Sequence, residues 1–290
     1  VVTRWPHDKG VFDTMANPLL NDRALERAQP GWASPAAPSS TWPAPGGATT
    51  RTTDGPVSHY EGAMTVSGTI TASAVLFTLL LVSAVFGWNA TDTNPTTNEL
   101  SFPGIAFVGI AVGFACVIAL YFRPQWARVL GPVYALAQGF FVGAISRAYD
   151  NFQSGVVLQA VGATVATFLV MLVLYRTQII KVTNRFRKVV IAATLGIMVM
   201  YLVSFAFRLF AGSDSVSFLR EPNALGIGIS VVICVVAALN LALDFDFIER
   251  GTKSGLPKHF EWFAAFGLLV TIVWLYLEFL RLLAMLQSRN

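Results

Sequence analysis

The sequence predicts an all-α membrane protein, a seven-transmembrane-helix bundle preceded by a disordered amino-terminal tail. Three observations predict it. Hydrophobic residues make up 54% of the 290-residue chain and charged residues only 12%, with a mean hydropathy of +0.60. A soluble domain carries about twice that charged fraction, ~25%. Long apolar stretches then fill residues 64 to 286, seven of them. None alternates with a two-residue period, and backbone hydrogen bonding in lipid leaves only helices or closed barrels.

Residues 1–60 form the tail and residues 61–290 the membrane domain. From Ala28 to Val57 the chain is mostly Pro, Gly, Ser, Thr and Ala. Such a segment cannot bury enough apolar surface to offset its ordering entropy. A short helix is expected around Leu20–Arg27. Trp32 and Trp42 could bind a partner, although a passive tail is the simpler reading. Met15-Ala16-Asn17-Pro18 reads as a natural start, which would make residues 1–14 an upstream extension. No apolar signal-peptide core precedes residue 64.

A helix needs about 20 apolar residues to cross a hydrocarbon core of ~30 Å. Met64–Trp88 and Phe102–Phe122 meet that without a charge, and Val129–Ser146 is shorter but uncharged. Ser154–Tyr175, Val189–Phe207 and Asn223–Leu243 follow. The last uncharged run, Phe263–Leu277, becomes a full span if it continues through Glu278 and Arg281 to about Leu286. Those two charges are three residues apart, so one helical face carries both and they can pair. Arg208, closing the fifth span, is a second candidate partner for Glu278.

Loop charges orient the bundle. The second, fourth and sixth connections hold ten basic residues: Arg123 and Arg128; Arg176, Lys181, Arg185, Arg187 and Lys188; Arg250, Lys253 and Lys258. The other three connections hold Arg147, Arg208 and Arg220. The basic side is cytoplasmic, which places the tail inside the cell and the carboxyl terminus outside. Arg289 on the outer end runs against this trend without reversing it. Because the positive charge sits in short loops, the net charge of +4 reports topology and not nucleic-acid binding. Cys116 and Cys234 lie within apolar runs and read as ordinary buried thiols. Asn89-Ala90-Thr91 matches a glycosylation sequon, with chance the default explanation. Gly139 and Gly143 form a GxxxG that permits close helix approach, either inside one bundle or between two copies.

An acidic cluster stands where the sixth span ends: Asp244 and Asp246, followed by Glu261 at the start of the seventh. Ionisable groups are costly in a membrane and call for a reason. Asn240 and Asp244 are four apart and share a helical face, whereas Asp246 points elsewhere. The three carboxylates are expected to converge at the inner membrane boundary. Carboxylates grouped there suit proton sensing, and their oxygens suit a hard cation such as calcium. The plainer alternative is that helix ends carry charge and these acids pair with Arg250 or Lys258. Glu278 and Arg281 lie about 26–30 Å further along the seventh helix and belong to the outer end. Gln138 and Gln159 read as interhelical glue.

Enzyme chemistry finds no support. His7, His59 and His259 all fall outside the spans, and no HExxH, GxSxG, P-loop or zinc-spaced cysteine pair occurs. No lysine lies within the seventh span to carry retinal, and the paired aspartates sit on one helix instead of two. No catalytic activity and no cofactor is expected.

Two stretches carry a family likeness: Leu239-Asn240-Leu241-Ala242-Leu243-Asp244-Phe245-Asp246-Phe247-Ile248 and Leu275-Tyr276-Leu277-Glu278-Phe279-Leu280-Arg281-Leu282-Leu283. With the seven-span pattern, they make residues 64–290 resemble the transmembrane Bax inhibitor motif family, in particular its bacterial membrane proteins. The resemblance implies a bundle with the seventh helix central and the other six around it. It implies a pH-sensitive calcium leak, or stress and proteostasis control through a membrane protease or another partner. In leak-type members an aspartate on the sixth helix shares a proton with one on the seventh. Asp244 matches the first, but the second falls on Thr271, ten residues before Arg281. An acid expected in the second span is also missing around Val112 and Gly113, while Arg123 matches a basic residue at that span's inner end. Asp246 or Glu261 could substitute for the missing acid. Polar residues along the likely path are few: Thr194, Ser204, Ser230, Asn240 and Thr271.

Overall fold

A computed structural model describes residues 62–93, 100–101, 103–211 and 223–288. The tail, its expected helix, Trp32 and Trp42 lie outside these residues, as do Arg220, Arg289 and the side chain of Arg208. The membrane domain contains seven helices: α1 (Val66–Asn89), α2 (Ile105–Phe122), α3 (Ala127–Phe152), α4 (Val156–Arg176), α5 (Asn184–Ala211), α6 (Ala224–Lys253) and α7 (Phe260–Gln287). Each is long and apolar enough to cross a membrane. A two-residue antiparallel pair, Asp92–Thr93 with Leu100–Ser101, follows α1.

Local chemistry sets the helix starts. Thr65 is extended and its Oγ1 accepts the Gly68 N–H at 2.9 Å, while Asn223 caps α6 through the Gly226 N–H at 2.7 Å. Gly155, with φ of 83°, supplies the left-handed turn between α3 and α4. The helices differ from the uncharged runs mainly at their ends. α3 continues past Arg147 and Asp150, α5 begins before Arg185, and α6 runs on to Lys253. A charge excludes a residue from hydrocarbon but not from a helix, so the uncharged length understates the helical length.

α7 is the most buried helix, with 61% of its most apolar window inside the protein. It packs on α1, α3, α4 and α6, while α2 rests on α3 and α5 on α6. The expected central helix is therefore present. α1 and α3 form the most extensive seam. A Cβ added at Gly143 would lie 1.9 Å from Ala84 O, one at Gly139 2.3 Å from Leu80 O, and one at Gly87 2.0 Å from Phe140 O. Ser83 Oγ donates to Leu136 O across the same seam at 2.6 Å. The GxxxG thus serves packing within the bundle. Gln138 bridges α3 to α2 through Gly109 O at 3.3 Å, and Gln287 of α7 donates to Gln159 of α4 at 3.0 Å. Thr91 is buried and donates to Gly87 O, so the sequon's threonine is turned inward.

Candidate functional site

The acidic segment does not close α6. The helix runs nine residues beyond Asp244 to Lys253, about 13 Å at ~1.5 Å per residue. That length gives each acid a separate direction, since successive helical residues turn by about 100°. Asp244 faces α7 with its carboxylate toward Thr271, whose own hydroxyl donates to Gly267 O at 3.2 Å. Gly267, one turn earlier on α7, leaves room for it: a Cβ there would lie 3.8 Å from Asp244 Oδ1. Asp244 Oδ2 is buried with no hydrogen-bond partner among the described residues. Ala237 and Leu241 of α6 and Leu268 and Leu275 of α7 are buried together in one apolar cluster.

Asp246 faces α5 instead. Arg187 Nη2 donates to its Oδ2 at 2.9 Å, and Arg250, one turn on, pairs with the same oxygen. Asn240 donates to Thr194 Oγ1 on α5 at 2.8 Å and to Val236 O at 2.9 Å. Four residues span slightly more than one turn. Asn240 and Asp244 therefore divide one face between α5 and α7.

Glu261 turns toward α1. It is 4% exposed, and its Oε1 accepts the Thr65 N–H at 2.9 Å and the Thr65 hydroxyl at 2.8 Å. The residues before α1 are pinned to the α6–α7 loop as well. Met64 N–H donates to Leu256 O at 2.6 Å, Lys258 N–H to Gly62 O at 2.8 Å, and Ala63 pairs with Pro257. The expected convergence of three carboxylates is therefore corrected. They share one end of the bundle, but each is committed to a different neighbour. Asp246 follows the plainer alternative, pairing with Arg250. Glu261 holds the start of α1, so neither supplies Asp244 with a second acid.

Arg123 ends α2 and is exposed; its carbonyl accepts the Trp126 N–H at 3.1 Å. At the opposite end of α7, Arg281 Nη1 lies 3.7 Å from Glu278 Oε2. Tyr201 of α5 joins them: its hydroxyl donates to Glu278 Oε1 and accepts from Arg281 Nη1 at 2.7 Å. Tyrosine is thus the partner that α5 provides. In sequence, a tyrosine within an apolar run looks like core. Tyr175 and Glu249, bonded at 2.5 Å between α4 and α6, were equally inconspicuous. Among the described residues no group of three or more His, Cys, Asp or Glu side chains forms a metal site.

A sequence model of the Bax inhibitor 1 like family matches residues 17–288. The chain belongs to that family. No curated protein matches it. The family match reaches further toward the amino terminus than residues 64–290, over which the likeness was read. Within this Bax inhibitor 1 like chain, the residue opposite Asp244 is Thr271, the position the resemblance reserves for a second aspartate. The carboxylate pair is replaced by a carboxylate and a hydroxyl at the same contact. In the second span the missing acid gives way to Gly113, which is covered by the Gln138 amide: a Cβ at Gly113 would lie 1.9 Å from Gln138 Nε2.

The Glu261 contact makes a direct prediction. Glu261→Ala leaves the Thr65 N–H and hydroxyl without their acceptor, at a cost of about 1–2 kcal/mol. Hydrogen exchange at the amides of Thr65 to Gly68 should accelerate. Glu261→Gln keeps an acceptor oxygen and should show a smaller change.

Proposed function

We propose that this protein is a multi-pass protein of the inner (plasma) membrane, amino terminus cytoplasmic, that passes cations such as calcium under pH control. Asp244 is the sensing group, with Asp246 and Glu261 holding the helices around it. The protein acts without catalysis and without a cofactor. The observation that carries this reading is the half-buried Asp244 carboxylate, which faces Thr271 on the central helix and whose buried Oδ2 has no hydrogen-bond partner among the described residues. An ionisable group buried within a membrane bundle marks a functional site by default. The ten-to-three division of basic loop residues supports the orientation.

A second reading is favoured by α7 itself. The six residues between Thr271 and Glu278 are Ile, Val, Trp, Leu, Tyr and Leu. Val273, Leu275 and Tyr276 are buried, and the Tyr276 hydroxyl is occupied by Ser146 at 2.6 Å. Apolar packing of this kind suits a non-conducting protein that modulates membrane proteostasis or stress responses through a membrane protease or another partner.

Calcium flux into dye-loaded liposomes across a pH series separates the two. The leak reading expects pH-dependent flux from the native protein and a flat pH profile from Asp244→Asn, which cannot change its charge. Folded protein with no flux above empty liposomes would leave the partner reading.

A further inference from the structure

A cleft of about 840 Å³ opens between α1 and α4, with α6 and α7 completing its wall. Its volume lies at the upper end of the range for ligand pockets, about 300–1,000 Å³. Most of its lining is apolar: Ile70 and Phe77 from α1, Phe168 and Leu172 from α4, Phe245 from α6 and Leu268 from α7. On α1 the lining runs from Val66 to Phe77, twelve residues or about 17 Å of helix. That is close to half of a ~30 Å hydrocarbon core, the depth of one leaflet. The rim opens to the bilayer side, where Ile70 is 64% and Val165 52% exposed.

Charge is confined to one end, and the only polar groups elsewhere in the lining are the hydroxyls of Thr69, Ser73 and Thr164. Tyr175, Arg176, Glu249, Thr252 and Lys253 line the mouth, where α4 and α6 terminate. Glu249 is already engaged, accepting from Tyr175 and from Lys253 at 2.5 Å each. Two cations against one carboxylate leave the mouth net positive, and the Arg176 side chain stands at the boundary where a lipid headgroup would lie. We propose that this cleft binds one phospholipid of that leaflet, an acyl chain filling the apolar part and an anionic headgroup held at Arg176 and Lys253. A leaflet-deep apolar slot closed by a cationic mouth matches such a lipid in length, polarity and charge. The cleft adjoins the Asp244–Thr271 pair through Phe245 and Ile272, but neither member of that pair lines it, and the proposal stands whether or not the protein conducts.

Native mass spectrometry of the full chain, delipidated and reloaded from phosphatidylglycerol or phosphatidylcholine vesicles, tests this. One retained phospholipid per chain is expected, with phosphatidylglycerol preferred about five-fold, as one net basic charge near the surface implies. Ala74 lines the cleft and is exposed, so Ala74→Trp should fill the slot and remove the adduct for both lipids. Arg176→Ala/Lys253→Ala alters only the mouth and should keep the adduct while losing the headgroup preference. No adduct on the native protein overturns the proposal, whether the chain's own amino-terminal residues fill the cleft or it stands empty. Equal adducts on the native protein and Ala74→Trp overturn it too, since the lipid is then merely annular.

Discussion

Gly143→Leu is expected to disrupt the bundle, lowering stability by about 3 kcal/mol or more. The reason lies in what a side chain at that position would meet. Its first carbon would lie 1.9 Å from Ala84 O, 2.6 Å from Ala84 C and 2.8 Å from Ala84 Cα. These are backbone atoms of α1, which cannot swing aside as the end of a side chain can. Relief requires α1 and α3 to separate by about 1 Å, a gap that forfeits a quarter to a half of the dispersion energy of each contact along the seam. Gly139 and Gly87 make similarly close approaches, so the separation would also strain the Ser83–Leu136 hydrogen bond of 2.6 Å. Unfolding in mixed micelles of increasing SDS content measures the loss. Gly162→Leu is the matched control. A Cβ there meets nothing within 4 Å, and a leucine in its place should change stability by no more than about 0.5 kcal/mol. Equal stability of both variants would mean that the α1–α3 seam is looser than it looks.

The two glycines show what was legible in the sequence and what was not. A GxxxG spacing is readable as close packing, because only a missing side chain permits it. Which helix approaches is not readable, since Leu80 and Ala84 present nothing but their carbonyls. The seven spans were legible for a related reason: the cost of polar groups in hydrocarbon is paid residue by residue and leaves a local record. Helix ends leave a weaker one, as the nine helical residues after Asp244 illustrate. The divergence of Asp244 and Asp246 followed from helical rotation alone. Their partners followed only in part: Arg250 was an expected partner of Asp246, and Arg187 was not. Arg187 is one of five cations in a single loop region, each equally placed by sequence to meet Asp246. Thr65 looks like an ordinary helix cap, and nothing local announces that Glu261, 196 residues away, will accept its N–H. Thr271 was found only through the family likeness, because an isolated threonine in a membrane helix most often satisfies itself on its own backbone. Thr271 does have such a contact, with Gly267 O at 3.2 Å.

Glu278→Ala is expected to cost about 3 kcal/mol, the low end for breaking a buried ion pair. The carboxylate side chain is 6% exposed and Arg281's is 19%, so removing the acid takes the counter-charge from a guanidinium in a protein interior within the membrane. Arg281 would keep its bond to Tyr201, but Tyr201 would lose its own acceptor, adding an unsatisfied hydroxyl. Arg281 lies six residues from the end of α7 and can stretch toward the interface, which keeps the cost from rising further. The double replacement Glu278→Leu/Arg281→Leu should come within about 1 kcal/mol of the native protein, because the desolvation penalty leaves together with both charges. A double-mutant cycle in the same SDS titration reads the difference as a coupling energy. No coupling would mean that water already reaches the pair, and that this end of the bundle is open. Strong coupling would mean a dry end, closed where Tyr201 clasps α5 to α7. If the protein passes cations as proposed, that clasp is then a barrier to them, and flux through the double variant, which lacks it, should exceed the native rate.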